Sequence, residues 1–357
     1  MKLNLSCPIN TTSYGYVSTY FMKELNILGY DLRHIPISYN APDENLFESV
    51  SHILCNHNFH YDAACLRIWH QHDMTSFTGS GAKIGFPIFE LETFSSREAH
   101  SLGYPDFLLT PSKWSQTVLK NSGLDSQIVP LGYDDSIFVP CELPDKDITI
   151  FGNFGKWEVR KGHDILCEAF NAAFEENDRV LLALMPTNQF LTNEEKYSWE
   201  HKYKNSKLGH KVNILPRFKT QSMVYNIMKQ IHCAVFPSRA EGWNLEALEA
   251  LACGRHLIIT DCTAHSDFCN SQNSLLIKMT TGYEKAFDGK FFFGDSFWRS
   301  FGNDEFDQLV EYMRMVHRIN MDGSLQINSK GLESSKEFTW RNSAQKLHQT
   351  LSKILEN

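Results

Sequence analysis

The amino-acid sequence predicts an α/β chain of two successive Rossmann-like, doubly wound parallel sheets facing each other across a cleft. Three observations carry that reading. Short apolar runs alternate with helical patterns along most of the chain. The alternation breaks at residues 139–147, VPCELPDKD, where two prolines and charge replace the apolar pattern and mark a linker. At 357 residues the chain is also long for one compact domain. The expected division is 1–142, then 143–335, then a last segment 336–357.

In the first half, KLNLSCPI reads as a buried strand, followed by a Thr/Ser/Gly loop. Val17, Tyr20, Phe21, Leu25 and Leu28 then mark an amphipathic helix that stops at Gly29. CLRIWHQHDM, IGFPIFEL and PDFLLTPS read as further strands, and IVPLGY as the closing one. SKWSQTVLKNSG reads as a short helix with Ser112 as N-cap and Gly123 as stop. The pattern restarts at DITIFGNFG, a strand and turn. In the next helix Leu166, Ala169, Phe170, Ala173 and Phe174 fall on one face. RVLLALM, KVNILP, CAVFPS and RHLIITD read as the remaining strands, and Ala344, Leu347, Leu351 and Ile354 mark a final helix.

Composition narrows the function classes. A net charge of -8 sets no default attraction to nucleic acid or membrane, although a local patch can differ from the mean. The 9 cysteines are scattered singly without CxxC spacing, which suggests neither a zinc ribbon nor a disulfide framework. A reducing cytoplasm is the expected setting. Polar residues interrupt the N-terminus too early for a signal-peptide core, and no apolar run approaches a membrane span.

The stretch 236–262, FPSRAEGWNLEALEALACGRHLIITDC, carries Glu241, Glu246 and Glu249 beside an apolar helix pattern. On a helix from Asn244 to Gly254, Leu245, Leu248 and Ala252 form the packed face. Glu249 lies about 40° from Leu245 and Glu246 about 100°, so Glu249 points inward and Glu246 toward water. The exposed N–H groups at the helix start sit between Glu241 and Glu249 and favour an anion. Carboxylate, anion site, carboxylate matches the parts of a sugar nucleotide: sugar hydroxyls, diphosphate, ribose hydroxyls.

With seven residues between them, Glu241 and Glu249 resemble the E-x7-E signature of retaining GT-B glycosyltransferases of family 4. GKWEVRKGHDIL is similar to that family's phosphate-binding turn G-R-L-x-x-x-K-G, which puts Lys161 on its lysine and Lys156 on its arginine. TPSKWSQTVLKNSG with IVPLGYDDSIFVP resembles the segment closing the family's first domain. FTWRNSAQKL resembles the final segment, whose helix crosses back to that domain. The resemblance implies that Glu241 contacts the transferred sugar and Glu249 the ribose, with Gly242, Trp243, Asn244 and Leu245 completing the donor site. It implies that Lys156 and Lys161 neutralise the departing diphosphate, with no metal required and no cofactor besides the nucleotide sugar, expected to be a UDP-sugar. Gly15, in TTSYGY, could approach the phosphates without a Cβ in the way; an ordinary βα turn is the alternative. The D-x-D pattern at 145–147 falls in the linker and reads as solvated charge, and GSG at 79–81 fails as a dinucleotide fingerprint.

On the acceptor side, RIWHQHDM ends a strand where a doubly wound sheet presents ligands. Alternation sends His70 and His72 one way and Gln71 and Asp73 the other, and a structural histidine is the competing reading. Gln71-His72-Asp73 is similar to a segment of the DNA α-glucosyltransferases of T-even bacteriophages, and RIWHQHDM…IGFPIFELETF to short phage-encoded glycosyltransferases. The resemblance implies that His72 and Asp73 orient or polarise the acceptor, with Glu90 and Glu92 opposite. Between Lys196 and Lys219 there are seven Lys or Arg against one acid, Glu200, with Tyr197, Trp199 and Tyr203 interleaved. That segment could follow a phosphate backbone, or be an ordinary solvated loop and helix. The expected activity is a retaining hexosyl or pentosyl transfer onto a hydroxymethylated cytosine of phage DNA. The alternatives are a glycan or lipid-linked saccharide acceptor, or a non-catalytic sugar-nucleotide binding module. No stable membrane association is expected.

Overall fold

The computed structural model describes residues 1–39, 43–56 and 58–355. They divide into two compact units, Met1–Asp135 with Lys219–Gln221 and Glu337–Asn357, and Ser136–Phe218 with Ser222–Lys336. The break after Asp135 lies seven residues before the division read from the prolines.

Unit 1 is a six-stranded parallel sheet of β1 (Lys2–Ile9), β2 (Asp31–Tyr39), β3 (Cys65–Trp69), β4 (Lys83–Pro87), β5 (Phe107–Thr110) and β6 (Gln127–Ile128). Its order is β2-β1-β3-β4-β5-β6, a doubly wound arrangement whose direction of winding switches between β1 and β3. Leu3, Leu5, Cys7 and Ile9 of β1 are fully buried, as a central strand covered on both faces requires. The helices are α1 (Ser13–Ile27), α2 (Glu44–Leu54), α3 (Ser96–Leu102) and α4 (Lys113–Asn121). Ser112 caps α4 as expected, and Gly123 beyond it has positive φ. Of IVPLGY only Ile128 is strand, as the second residue of β6, and β3 stops at Trp69, short of the histidines.

Unit 2 is a second six-stranded parallel sheet of β7 (Thr149–Asn153), β8 (Val180–Leu184), β9 (Val212–Ile214), β10 (Cys233–Phe236), β11 (His256–Thr260) and β12 (Leu275–Ile277). The order β9-β8-β7-β10-β11-β12 is the 3-2-1-4-5-6 order of dinucleotide-binding sheets, with its switch between β7 and β10. Two strands that the periodicity did not announce, β13 (Tyr283–Phe287) and β14 (Phe293–Arg299), form an antiparallel hairpin. The helices are α5 (His163–Ala173), α6 (Asn193–Lys204), α7 (Gln221–Met228), α8 (Leu245–Ala252), α9 (Asn303–Met321) and α10 (Ser329–Ser335). The expected face of α5 is in the core, where Leu166, Phe170 and Phe174 pack with Phe151, Leu182 and Val235.

The last helix, α11 (Trp340–Leu355), packs in unit 1. Trp340 stacks on Tyr20 with ring centroids 5.1 Å apart, and the Tyr30 hydroxyl lies 2.8 Å from His348 Nδ1. The proline-rich segment is no free tether. The fully buried Arg255 donates to the carbonyls of Cys141 and Glu142, so this stretch is strapped onto unit 2.

Candidate active site

In unit 2 the turn after β7 meets the loop after β10, at the switch in strand order where doubly wound sheets receive ligands. Gly162 makes the approach possible. Its φ is +73°, and a Cβ there would stand 2.1 Å from the Pro237 carbonyl oxygen. The Arg239 N–H then donates to the Arg160 carbonyl at 2.7 Å, joining the two loops.

The loops bring opposite charges together out of water. Glu241 is 3% exposed, and its carboxylate takes Lys161 Nζ at 2.9 Å and Arg160 Nη1 at 3.0 Å. Ser238 Oγ donates to it at 2.9 Å. Arg160 also holds Glu158 at 2.7 Å, and Lys156 approaches the same Glu158 at 3.0 Å. Burial alone would raise the Glu241 carboxyl, but the charges of Lys161 and then Arg160 more than offset it and hold the group down at about 2. Glu158 is held at about 2 against burial by Arg160, Lys156 and Lys161. Burial works against protonated Lys161, yet Glu241 and then Glu246 raise it above the ordinary lysine value.

Among the described residues, two non-glycines have positive φ, and both stand here. Asn244, at +85°, caps α8 by accepting the Ala247 N–H at 3.2 Å, and its amide nitrogen lies 2.9 Å from His265 Nε2. Thr263, at +51°, accepts the Glu241 N–H at 3.0 Å. Left-handed backbone at non-glycine residues is costly and concentrates at functional sites. His265 is fully buried, and burial pushes its imidazole down to about 4, so the ring at Asn244 is neutral at physiological pH.

Helix α8 runs as the spacing predicts, from Asn244 as cap to Gly254 in the left-handed region. Glu249 is buried at 5% exposure and Glu246 is half-buried. Gly242, Trp243 and Leu245 are buried in and beside the loop. Glu246 is therefore not wholly solvated, since its charge reaches Lys161. Sequence reasoning missed Arg160. The template arginine falls on Lys156, whose ammonium is partly exposed and leans over Phe190 at 5.8 Å, while Arg160 is buried on Glu241. A cation one residue before Lys161 was the available signal. Arg239 was missed too; it grips Asp164 through both terminal nitrogens and donates to Glu284 of β13 at 2.8 Å, tying the hairpin to the site.

In unit 1 the predicted residues scatter more widely. Gly15 lies in the first turn of α1, not in the loop before it, and a Cβ there would strike the Asn10 carbonyl at 2.0 Å. Packing alone accounts for that glycine. His70 and His72 stack with centroids 5.2 Å apart, and His70 Nδ1 lies 3.0 Å from the Tyr14 hydroxyl. Asp73 is bound by the buried Arg67 at 2.6 Å. His72 and Asp73 line a cavity of about 400 Å³. Glu90 and Glu92 are not among its lining residues, and Glu92 accepts the Trp114 indole N–H at 3.1 Å.

Four of the seven cations of the basic segment 196–219 are engaged within unit 2. Lys202 pairs with Glu168 and Lys207 with Glu175, while Lys204 and Lys211 donate to carbonyls. Tyr203 is in the core and Trp199 stacks on Trp157, leaving Tyr197 as the exposed ring of the three. Among the described residues, no group of three or more His, Cys, Asp or Glu is placed to hold a metal ion. No helix among them is long and apolar enough to cross a membrane.

Solved structures share this architecture over almost the whole chain. Sucrose-phosphate synthase from Thermosynechococcus elongatus superposes with a TM-score of 0.71 at 14% identity, covering 99% of both chains. Anabaena Alr3699/HepE in complex with UDP-glucose gives 0.67 at 13% identity, covering 99% of this chain and 100% of that one. The fold is GT-B. A glycosyltransferase from Rickettsia africae gives 0.69 at 13% identity, covering 100% of this chain and 99% of that one. Residues 145–287 match the family model described as glycosyl transferases group 1, so the GT-B unit with the Glu241 cluster carries the glycosyltransferase match. No curated protein matches the sequence.

Proposed function

We propose that the protein is a retaining, metal-independent glycosyltransferase of the family 4 kind that uses a UDP-sugar. The observation that carries this reading is the buried Glu241–Lys161–Arg160 cluster at the β7/β10 switch, inside the segment matching glycosyl transferases group 1. That Anabaena Alr3699/HepE has been solved with UDP-glucose supports UDP as the nucleotide. Arg160, with Lys161 and Lys156, stabilises negative charge growing on the β-phosphate as the bond from sugar C1 to the phosphate oxygen breaks. The acceptor oxygen bonds to C1 on the same face, and its proton passes to the departing phosphate. Glu241 meets the sugar hydroxyls and Glu249 the ribose.

For the acceptor, hydroxymethylated cytosine in phage DNA keeps the support of the Gln71-His72-Asp73 resemblance. The 196–219 segment supports it less, because Lys202, Lys204, Lys207 and Lys211 hold partners within unit 2 itself. The deciding experiment screens UDP-, GDP- and ADP-sugars for nucleotide release with and without hydroxymethylcytosine DNA, and determines the product anomer by NMR. Nucleotide release with no donor, or an inverted anomer, would overturn the reading.

A further inference from the structure

The turn after β3 is clamped onto α3 at two points. Gln71 Nε2 donates to Glu98 Oε1 at 2.8 Å, and the Met74 N–H donates to Ser101 Oγ at 2.7 Å. His72 and Asp73 between the clamps, with Thr75 just past the second, line one side of the 400 Å³ cavity, and Arg97, His100 and Ser101 line the other. Positions 97, 100 and 101 share one helical face, so α3 delivers a guanidinium, an imidazole and a hydroxyl together. The volume falls in the range of small-molecule pockets.

The charge is one-sided. Asp73 is the lone carboxylate in the lining, and the Arg67 guanidinium holds it from the core side, donating to its Oδ2 and to its backbone carbonyl. Glu98, next to Arg97, spends its carboxylate on Gln71 and on the Ser95 cap. Arg97 is exposed and has no hydrogen-bond or ion-pair partner among the described residues. A guanidinium fork with two imidazoles and a hydroxyl around one cavity matches a tetrahedral oxyanion.

We propose that this cavity binds a phosphate group carried by the acceptor, with Arg97 as the principal contact and His72, His100 and Thr75 around it. The proposal rests on the reading of unit 1 as the acceptor side. Two sources share the chemistry, the phosphomonoester of a free sugar and the phosphodiester beside a hydroxymethylated base.

The test is calorimetric titration of the full chain with inorganic phosphate, with glucose 6-phosphate and with a hydroxymethylcytosine oligonucleotide. UDP is titrated separately. The expected result is phosphate binding that weakens at least tenfold in Arg97→Gln and measurably in His100→Asn, with UDP affinity unchanged in both. The source is whichever organic probe shows the same loss. Binding of all three probes that is equal in wild type and both variants, or no binding of any, overturns the proposal. Because these titrations need no donor, they stand whether or not UDP binds, and failure of UDP to bind counts against the transferase reading alone.

Discussion

The candidate ligand regions of the two units are built in opposite ways. That of unit 2 lies beyond the carboxyl ends of β7 and β10, where the sheet order switches, and that of unit 1 lies between the turn after β3 and α3, the helix that follows β4. In unit 2 the chemistry-bearing groups are buried and bound to one another: Glu158, Arg160, Lys161 and Glu241 are all below a tenth exposed. In unit 1 the supporting contacts are buried, while Arg97, His72 and His100 stand in solvent. A buried charge network is interdependent, because each member compensates the desolvation of the next. A clamped turn with free side chains can change its lining without cost to the fold. The first construction suits a component that stays the same, such as a diphosphate, and the second one that varies.

The contrast predicts its largest effect at Glu241. Glu241→Ala strips Lys161 and Arg160 of a shared carboxylate in a site closed to water. Loss of one partner from a buried pair costs about 3–5 kcal/mol, so chemical unfolding should shift strongly and transfer should fall at least 100-fold. Arg97→Gln should leave the unfolding midpoint in place. Equal stability losses from the two substitutions would erase the distinction.

Acid should separate the units next. Burial pushes His163 and His265 of unit 2 down to about 4, below the ordinary 6.5. Between pH 6.5 and 4 the unfolded chain takes up protons that the folded one refuses. The stability is therefore fully present above pH 6.5 and is lost as pH falls toward 4, at most about 3 kcal/mol per histidine. Glu158 and Glu241, held at about 2, add a second loss only below pH 4.5. Urea unfolding followed through the stacked Trp157–Trp199 pair should show the midpoint falling from pH 6.5 downward. A midpoint constant to pH 5 would remove the histidine part of the argument.

A smaller effect is expected at the clamp in unit 1. Arg67→Met removes the donors to Asp73 and Ser6. Because Asp73 is about a third exposed, water replaces part of what it loses. The cost should be about 1–3 kcal/mol, with acceptor KM rising more than kcat falls. A fall in kcat alone would place Asp73 in the chemistry and not in holding the turn.

How far the sequence reads depends on whether a feature is local. The E-x7-E helix was legible to its cap and stop, because period, Asn244 and Gly254 all lie within one short stretch. The strands of both sheets were legible where a buried run has no polar interruption. The hairpin β13–β14 was not, because its outward rings Tyr283, Phe287, Phe293 and Phe297 are exposed and break the rule that apolar means inside. Arg160 was hidden by template spacing, and the pairing of the 196–219 lysines by partners more than thirty residues away in several cases. The unit 1 cavity needed α3 folded back on the β3 turn, a contact no pattern within either segment specifies.

The smallest effect expected is at Glu246. It stands in the first turn of α8, half-buried, where a negative charge complements the helix N-terminus, and its field reaches Lys161. Glu246→Gln keeps the shape and removes the charge. A helix-terminus charge at a partly exposed site contributes about 0.3–1 kcal/mol, which bounds the change in transfer rate at roughly fivefold. Glu249→Gln, one turn deeper at 5% exposure, should weaken UDP-sugar binding well beyond that. Titration of UDP into both variants decides the order. If Glu246→Gln lost as much affinity as Glu249→Gln, the half-buried carboxylate would be a donor contact in its own right, and unit 2 would share the exposed, exchangeable construction of unit 1.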